Sequence, residues 1–194
     1  MVWKIDNLEQ AISSEWKNID DQIWIIGSHK SEKTISASSY LEYFRGEITG
    51  RPPKIDLFDE MFCQSFLWNA ILKSFVVSSH DISDGGLAIA LAECCILARK
   101  GATIELSKNL NRVDNLLFGE GGSRIIFSID KKKEKEWLNY LKKIQINSHS
   151  SIYLKKIGYV SSQTLNLKIQ DKSICNIRVE ELTKKFNNSI SSYF

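Results

Sequence analysis

Residues 76–98 read VVSSHDISDGGLAIALAECCILA and carry the clearest structural pattern of the chain. The β-branched and small residues at 76–79 are typical of a strand. A polar loop with two glycines follows, and in the apolar run 87–98 only Glu93 is charged. A helix that is apolar on every side is buried, so the stretch predicts a strand, a sharp glycine turn and a central buried helix. We expect cations in its last turn and Gly101 as its C-cap.

Segments on both sides continue the alternation of strand and helix. The run QIWIIGS at 22–28 predicts a buried strand, and the apolar spacing over 56–75 predicts a long helix behind Pro52-Pro53. Further strands are predicted at 102–106, 124–129, 152–160, 164–169 and 173–177. A short apolar turn or helix is predicted at 113–118, and helices are predicted at 133–144 and from 179. This order predicts an α+β fold, a mixed β-sheet covered by helices with antiparallel strands near the end.

Length and composition favour one folded domain with a short annex. The chain has 194 residues, of which 43% are hydrophobic and 25% charged, which is ordinary globular usage. No apolar run reaches the roughly 20 residues of a membrane span. The first residues, MVWKID, lack the pattern of a secretory signal, so we expect a cytoplasmic protein without membrane association.

Positive charge is concentrated in the last third of the chain, where residues 131–194 hold 13 basic and 5 acidic side chains. Such a surplus can mark a nucleic-acid surface. However, the run KKKEKE at 131–136 leads into Trp137, Leu138 and Leu141 at helical spacing, which favours the solvated face of an amphipathic helix. Aromatic residues are not interleaved with the lysines for stacking on bases, so we expect no nucleic-acid partner.

Cysteine and histidine spacings predict no metal site. The four cysteines form no C-x-x-C pair, and Cys94 and Cys95 are adjacent in an apolar helical pattern, which favours reduced thiols in the core. The three histidines lie far apart and none has the i, i+4 partner of a helical zinc site.

Two glycine-rich loops are the candidate sites for chemistry. At the first, Gly85 and Gly86 turn the backbone into a helix whose free amides suit an anion, whereas Asp84 could simply cap that helix. Asp81 ends a strand, where α/β folds tend to hold ligands and where a carboxylate can coordinate magnesium. At the second, LFGEGGSR at 117–124, Glu120 and Arg124 could pair across the turn.

The exact amino-acid sequences of the two loops are far more specific than the spacing of their residues. HDISDGGLAIALAE at 80–93 and the loop at 117–124 resemble the last domain of the phosphoribosylformylglycinamidine synthase family of purine biosynthesis. GRPPKID at 50–56 matches the family's G-x-x-P-x-x-D pattern, and VEEL at 179–182 resembles its closing helix. The resemblance implies that residues 1–20 are the tail of a preceding ATP-binding-type domain. Residues 21–194 would be a C-terminal domain like that of aminoimidazole ribonucleotide synthetase.

The family is an ATP-dependent ligase that converts formylglycinamide ribonucleotide and glutamine-derived ammonia into an amidine. The resemblance implies ATP and magnesium for the complete enzyme, and no catalytic residue in this chain. It implies an ATP-binding-type domain or chain as partner and, in the full assembly, a glutaminase subunit. Its implied site residues are Asp81 for the metal; Ser38, Glu120, Gly121, Gly122 and Arg124 for the substrate; and His80, Asp84, Gly85 and Gly86 in the loop at the helix N-terminus.

One loop departs from the family pattern. Where the family has Gly-Gly-Ser-Glu-Tyr, residues 36–40 read SASSY. Loss of both glycines removes backbone freedom near a bound phosphate, so Ser36 or Ser38 could instead cap a helix. The alternative function is therefore a stand-alone binding or assembly module derived from this domain. Co-purification with an ATP-binding partner would favour the enzyme.

Overall fold

Seven strands form one mixed sheet in the computed structural model of the chain, which describes residues 8–29, 34–107, 112–144 and 151–191. Their order in the sheet is β2-β4-β1-β5-β3-β6-β7. Strands β3 and β6 are parallel, and the other neighbouring pairs are antiparallel. The strands are β1 (Gln22–Ser28), β2 (Val76–Asp81), β3 (Gly101–Leu106), β4 (Arg124–Ile129), β5 (Ile152–Ser161), β6 (Thr164–Ile169) and β7 (Lys172–Arg178).

Helices lie on both faces of this sheet, which confirms the predicted α+β class. They are α1 (Ser39–Arg45), α2 (Leu57–Leu72), α3 (Gly86–Ala98), α4 (Val113–Phe118), α5 (Glu134–Lys143) and α6 (Val179–Ser191). Short 3₁₀ turns occupy Leu8–Gln10 and Lys131–Lys133. In the part of the chain that the structure describes, no helix has both the length and the apolar character needed to cross a bilayer.

Residues 23–26 of β1 are all apolar because the sheet is covered on both faces at this strand. Ile23 and Ile25 belong to the core that packs under α3, α4 and α6. Trp24 and Ile26 point the other way, into the core under α2 and α5. Because side chains alternate across a sheet, a strand covered on both faces must be apolar at every position. The predicted buried strand is confirmed.

Helix α5 confirms the amphipathic interpretation of the basic run. Trp137 is fully buried, and its indole ring makes edge contacts with Trp24 at 5.7 Å and with Phe127 at 6.0 Å between ring centroids. Most of the charged side chains of residues 131–136 are exposed. The lysines therefore form the wet side of a helix that is anchored by one tryptophan.

Three predictions about helix α3 are wrong. Its last turn contains no basic residue. The helix is not buried all round, because Ile89 and Leu97 on its outer face are 42% and 57% exposed. Its C-cap is Arg99, which adopts a left-handed φ of 52°, and Gly101 instead begins β3. Gly101 is needed for close packing, since a Cβ there would lie 2.2 Å from the Thr164 carbonyl oxygen.

The segment before β1 packs on this domain. The Trp16 ring is buried in the core under α3, and its Nε1 donates to Cys95 Sγ at 3.4 Å. The amide of Asp20 donates to the Val160 carbonyl at 2.9 Å. The assignment of residues 1–20 to a preceding domain remains a prediction, and residues 1–7 lie outside the described residues.

The four cysteines are packing residues that the protein buries fully or in part. Cys63, Cys94 and Cys95 are buried and Cys175 is partly buried, and none is in a disulfide, as predicted. Desolvation of the thiolate raises the pKa of Cys95 to about 12 and also raises the pKa of Cys94. The thiols of α3 are therefore inert packing groups.

Candidate functional site

The two glycine-rich loops meet at one carboxylate, that of Glu120. Its Oε1 accepts a hydrogen bond from the amide of Gly85 at 2.8 Å, at the start of α3. The same oxygen accepts from the amide of Ser39 at 2.9 Å, at the start of α1. Free amides at a helix N-terminus favour negative charge, so Glu120 occupies the positions that an anion would take.

Gly86 brings the two loops into direct backbone contact. It has a φ of +70°, and a Cβ at this position would lie 2.7 Å from the backbone of Phe118, the last residue of α4. Helices α3 and α4 can therefore approach this closely only with glycine at 86.

The interpretation of Asp84 as the cap of α3 is wrong. Gly85 is the N-cap residue, with a left-handed φ of 77° and without a side-chain cap bond. Asp84 is exposed. The reason is that the turn places the free amide of Gly85 toward Glu120, a residue 35 positions further along the chain.

Ser38 caps helix α1, as one of the two sequence alternatives predicted. Its hydroxyl accepts from the Leu41 amide at 3.4 Å and donates to the Ile35 carbonyl at 2.5 Å. The Ser38 side chain is fully buried. Its hydroxyl is thus engaged within the loop, below the surface where a ligand would approach.

Arg124 supports the second loop from inside. The residue is buried, and its Nη2 donates to the carbonyl oxygen of Gly119. Gly121 is also buried, whereas Gly122 is exposed beside Glu120. Arg124 therefore holds the turn that presents Glu120, and the surface of the loop is formed by Glu120 and Gly122.

His80 and Asp84 border a cleft that Glu120 does not line. They line an open cleft of about 330 Å³ between α3 and α6, together with Glu93, Leu97 and Phe186. His80 Nε2 is 3.1 Å from Glu93 Oε2, and Nδ1 is 2.7 Å from the carbonyl oxygen of Asp81. Both ring nitrogens therefore have an oxygen atom within hydrogen-bonding distance. The structure thus splits the predicted site into two groups.

The role of Asp81 as a magnesium ligand remains a prediction. Its side chain is three-quarters exposed at the end of β2. Within residues 8–29, 34–107, 112–144 and 151–191, no group of three or more histidine, cysteine or acidic side chains is arranged to hold a metal. Magnesium is commonly held by one or two carboxylates plus substrate phosphates, so the other ligands would come from a nucleotide or another domain.

Sequence reasoning missed two acidic residues that shape the site. The buried carboxylate of Asp59 accepts hydrogen bonds from the hydroxyls of Ser28 and Ser151, both at 2.6 Å. Glu60 Oε2 accepts from the Ser123 hydroxyl at 2.7 Å, and Ser123 has a left-handed φ of 58°. Their one sequence signal is acidity in the first turn of α2, which also has the ordinary explanation of the helix dipole.

Comparison with known proteins relates both the sequence and the fold to one group. A family model described as "AIR synthase related protein, C-terminal domain" matches residues 18–161. Over all 194 residues the chain is 81% identical to "Phosphoribosylformylglycinamidine synthase subunit PurL" of Prochlorococcus marinus (strain MIT 9312), of which it covers 25%. The chain thus spans about a quarter of the length of the curated relatives that it matches.

Solved structures share the fold at much lower identity. "T. maritima PurL complexed with FGAR" matches 91% of this chain with a TM-score of 0.71 and 17% identity, over 30% of that chain. "T. maritima PurL complexed with ATP" matches 91% of this chain with a TM-score of 0.66 and 13% identity, over 28% of that chain. At such identities the likeness concerns the fold alone.

Proposed function

The chain belongs to the AIR synthase related protein family, whose C-terminal domain it contains, and from this membership we propose that it is the C-terminal domain of an ATP-dependent phosphoribosylformylglycinamidine synthase subunit. The observation that carries the proposal is the 81% identity to such a subunit along the whole chain. The family resemblance of the two glycine-rich loops points the same way. In this function the domain contributes to purine biosynthesis as part of a ligase.

The domain is proposed to be inactive alone. Three-quarters of the relative's length lies outside the region that this chain matches. Phosphoryl transfer depends on residues that position the nucleotide and neutralise its charge, and the family resemblance assigns those residues to the domains that this chain does not match. We therefore propose an ATP-binding-type domain or chain of the same synthase as the partner that completes the site. A glutaminase subunit in the full assembly and a cytoplasmic location are parts of the same proposal.

Within this function we propose roles for the residues of both loops. The exposed carboxylate of Asp81 would supply one magnesium ligand, the others coming from ATP and from the partner domain. Glu120 and Gly122 would form the substrate side of the second loop, with the buried Gly121 shaping its turn and Arg124 supporting it from below.

The remaining site residues act on the first loop and on α1. Ser38 would order α1 through its cap. Gly85 and Gly86 would set the entry into α3. His80 and Asp84 would line the neighbouring cleft.

The alternative is an assembly module without a ligand of its own. One observation favours it: the Glu120 carboxylate already takes the two amides that would hold an anion. In that case the domain would be a stand-alone binding or assembly module that serves as a surface for a partner, and its Asp81 would be dispensable for magnesium dependence.

The proposal is tested by placing this chain in the whole subunit of the P. marinus relative, where it replaces the quarter that it matches. We expect this chimera to form the amidine from formylglycinamide ribonucleotide, ATP, magnesium and ammonia, and the isolated chain to form none. Turnover by the isolated chain at ordinary enzymatic rates would overturn the view that it holds only part of a site.

A second measurement separates the enzymatic role from the assembly role. Asp81→Asn keeps the shape of the side chain and removes its charge, so it should raise the magnesium concentration needed for half-maximal rate in the chimera. Asp171→Asn, in the turn after β6, is the matched control and should leave that concentration unchanged. An unaltered magnesium dependence in Asp81→Asn would favour the assembly module.

A further inference from the structure

The segment from the end of α1 to the start of α2 buries almost nothing within this chain. From residue 42 to residue 58, every side chain is exposed except those of Pro53 and Asp56, which are half-buried. Helix α1 contributes no buried residue at all. We refer to residues 42–58 as the 42–58 arm.

The exposed side chains of this arm are largely apolar. Six large hydrophobic residues are each 61–84% exposed: Tyr43, Phe44, Ile48, Ile55, Leu57 and Phe58. The three acidic and three basic residues of the arm balance, so no net charge marks it for a charged partner. Apolar exposure on this scale is typical of a surface that another protein covers.

The arm has a defined shape despite its exposure. The Ala37 amide donates to the Thr49 carbonyl at 2.7 Å, which folds the arm back on its own base. Gly50 has a φ of +95° and approaches Ser36 closely. A partner would therefore meet a preformed surface, which lowers the entropy lost on binding.

Both ends of the arm are attached to the second glycine-rich loop. At one end, Tyr40 stacks on Phe118 with ring centroids 4.6 Å apart, and Ser39 is bound by Glu120. At the other end, Glu60 holds Ser123 through its hydroxyl. A protein that covers the arm therefore also adjoins the residues proposed to contact substrate.

The attachment of the 42–58 arm to the second glycine-rich loop indicates which protein surface covers it. We propose that the 42–58 arm is the docking surface for the ATP-binding-type domain of the same synthase, and this inference rests on the function proposed above. The domain that completes the site must come next to the loop at 117–124, and the arm is the apolar surface attached to that loop. The relatives carry three-quarters of their length outside this domain, which supplies such an occupant.

The test measures hydrogen exchange of the arm in the whole subunit. The probe is the chimera described above, compared with the isolated chain at equal temperature and pH. We expect arm amides to exchange at least tenfold more slowly in the chimera. Phe44→Glu and Phe58→Glu should each restore fast exchange, because a charge on the apolar surface opposes docking. Ile174→Glu is the matched control, since Ile174 is 49% exposed on β7 at the far edge of the sheet.

The outcomes separate this inference from the proposed function. Amidine formation by a chimera whose arm exchanges as fast as in the isolated chain would overturn the docking surface and leave the function standing. A protected arm that depends on Phe44 and Phe58, in a chimera without turnover, would support docking while the function fails. Protection that grows with the concentration of the isolated chain would overturn the inference in favour of a second copy of the chain.

Discussion

The first amides of helices α3 and α1 bind the same carboxylate, yet the two helices differ in length and in burial. Glu120 Oε1 accepts an amide hydrogen bond from the start of each helix. Helix α3 has 13 residues and buries six of them, among them Leu91 and Cys95. Helix α1 has 7 residues and buries none. An identical end contact thus belongs to a core element in one case and to an exposed arm in the other.

The difference shows that capping positions a helix but does not stabilise it on its own. Isolated helices of fewer than about 12–15 residues are marginal in water, and tertiary packing supplies most of their stability. Helix α3 obtains that packing from this domain. Helix α1 obtains little from it, which is why we assign the packing of α1 to another domain.

The largest expected difference between the two helices is in the rate at which a cysteine on each of them reacts. Burial raises the pKa of Cys95 to about 12, so at pH 8 only about 1 in 10⁴ of these thiols is ionised, against roughly a quarter of exposed thiols. A cysteine placed on the arm by Tyr43→Cys should react with a disulfide reagent at least about 1,000-fold faster than Cys95. Absorbance of the released thiol measures both rates. Because the thiolate reacts, the rate at Cys95 should rise with pH up to about 12; equal rates at the two sites would show that α3 opens readily.

Leu91→Ala should be the largest single loss of stability among these variants. Leu91 is fully buried in α3, and its truncation leaves a cavity that costs about 2–5 kcal/mol of unfolding free energy. Urea denaturation followed by circular dichroism measures the change. Tyr43→Ala on the arm is the control and should stay within about 0.5 kcal/mol. A loss below about 1 kcal/mol for Leu91→Ala would place α3 at the surface.

Gly86→Ala should disturb the junction between α3 and the second loop. The left-handed φ costs about 1–3 kcal/mol for a residue with a side chain, and the new Cβ would press on the backbone of Phe118. The unfolding free energy should fall by at least that amount. Gly46→Ala is a useful comparison, because Gly46 also has a positive φ but a Cβ there meets nothing within 4 Å. If both variants lost the same amount, close packing at Gly86 would have no part in the effect.

Glu120→Ala should have the smallest effect on global stability and the clearest local one. The hydrogen bond from Ser39 is exposed and that from Gly85 is partly buried, so the loss of both should cost about 1 kcal/mol in total. Exchange of the Ser39 amide should accelerate more than that of Gly85, because α3 keeps its buried core residues, whereas α1 buries none and keeps only the stack of Tyr40 on Phe118. Glu120→Gln retains an acceptor oxygen and should lie between the parent and Glu120→Ala. Equal acceleration at both amides would remove the contrast between the helices.

The local sequence pattern was sufficient to predict the strands and helices. It was insufficient to predict the hydrogen bonds of the candidate site. The periodicity of residues 87–98 predicted α3 to within one residue, and the apolar run at 22–28 predicted β1 as observed. The prediction that Asp84 caps α3 was wrong because the amide of Gly85 binds Glu120 instead. No rule of local spacing describes a partner so far along the chain. The roles of Asp59 and Glu60 were missed for the same reason, since their serine partners are 31 to 92 positions away.

By itself, the amino-acid sequence determined the order of strands and helices, the apolar faces of β1 and α5 and the family to which the chain belongs. These properties follow from neighbours within a few residues, because backbone preference and side-chain periodicity act over one or two turns. Only the tertiary structure decided that one Glu120 oxygen joins two helix starts and that residues 42–58 remain uncovered. Both depend on how distant loops approach one another, since hydrogen bonds and burial act through space wherever packing brings groups together.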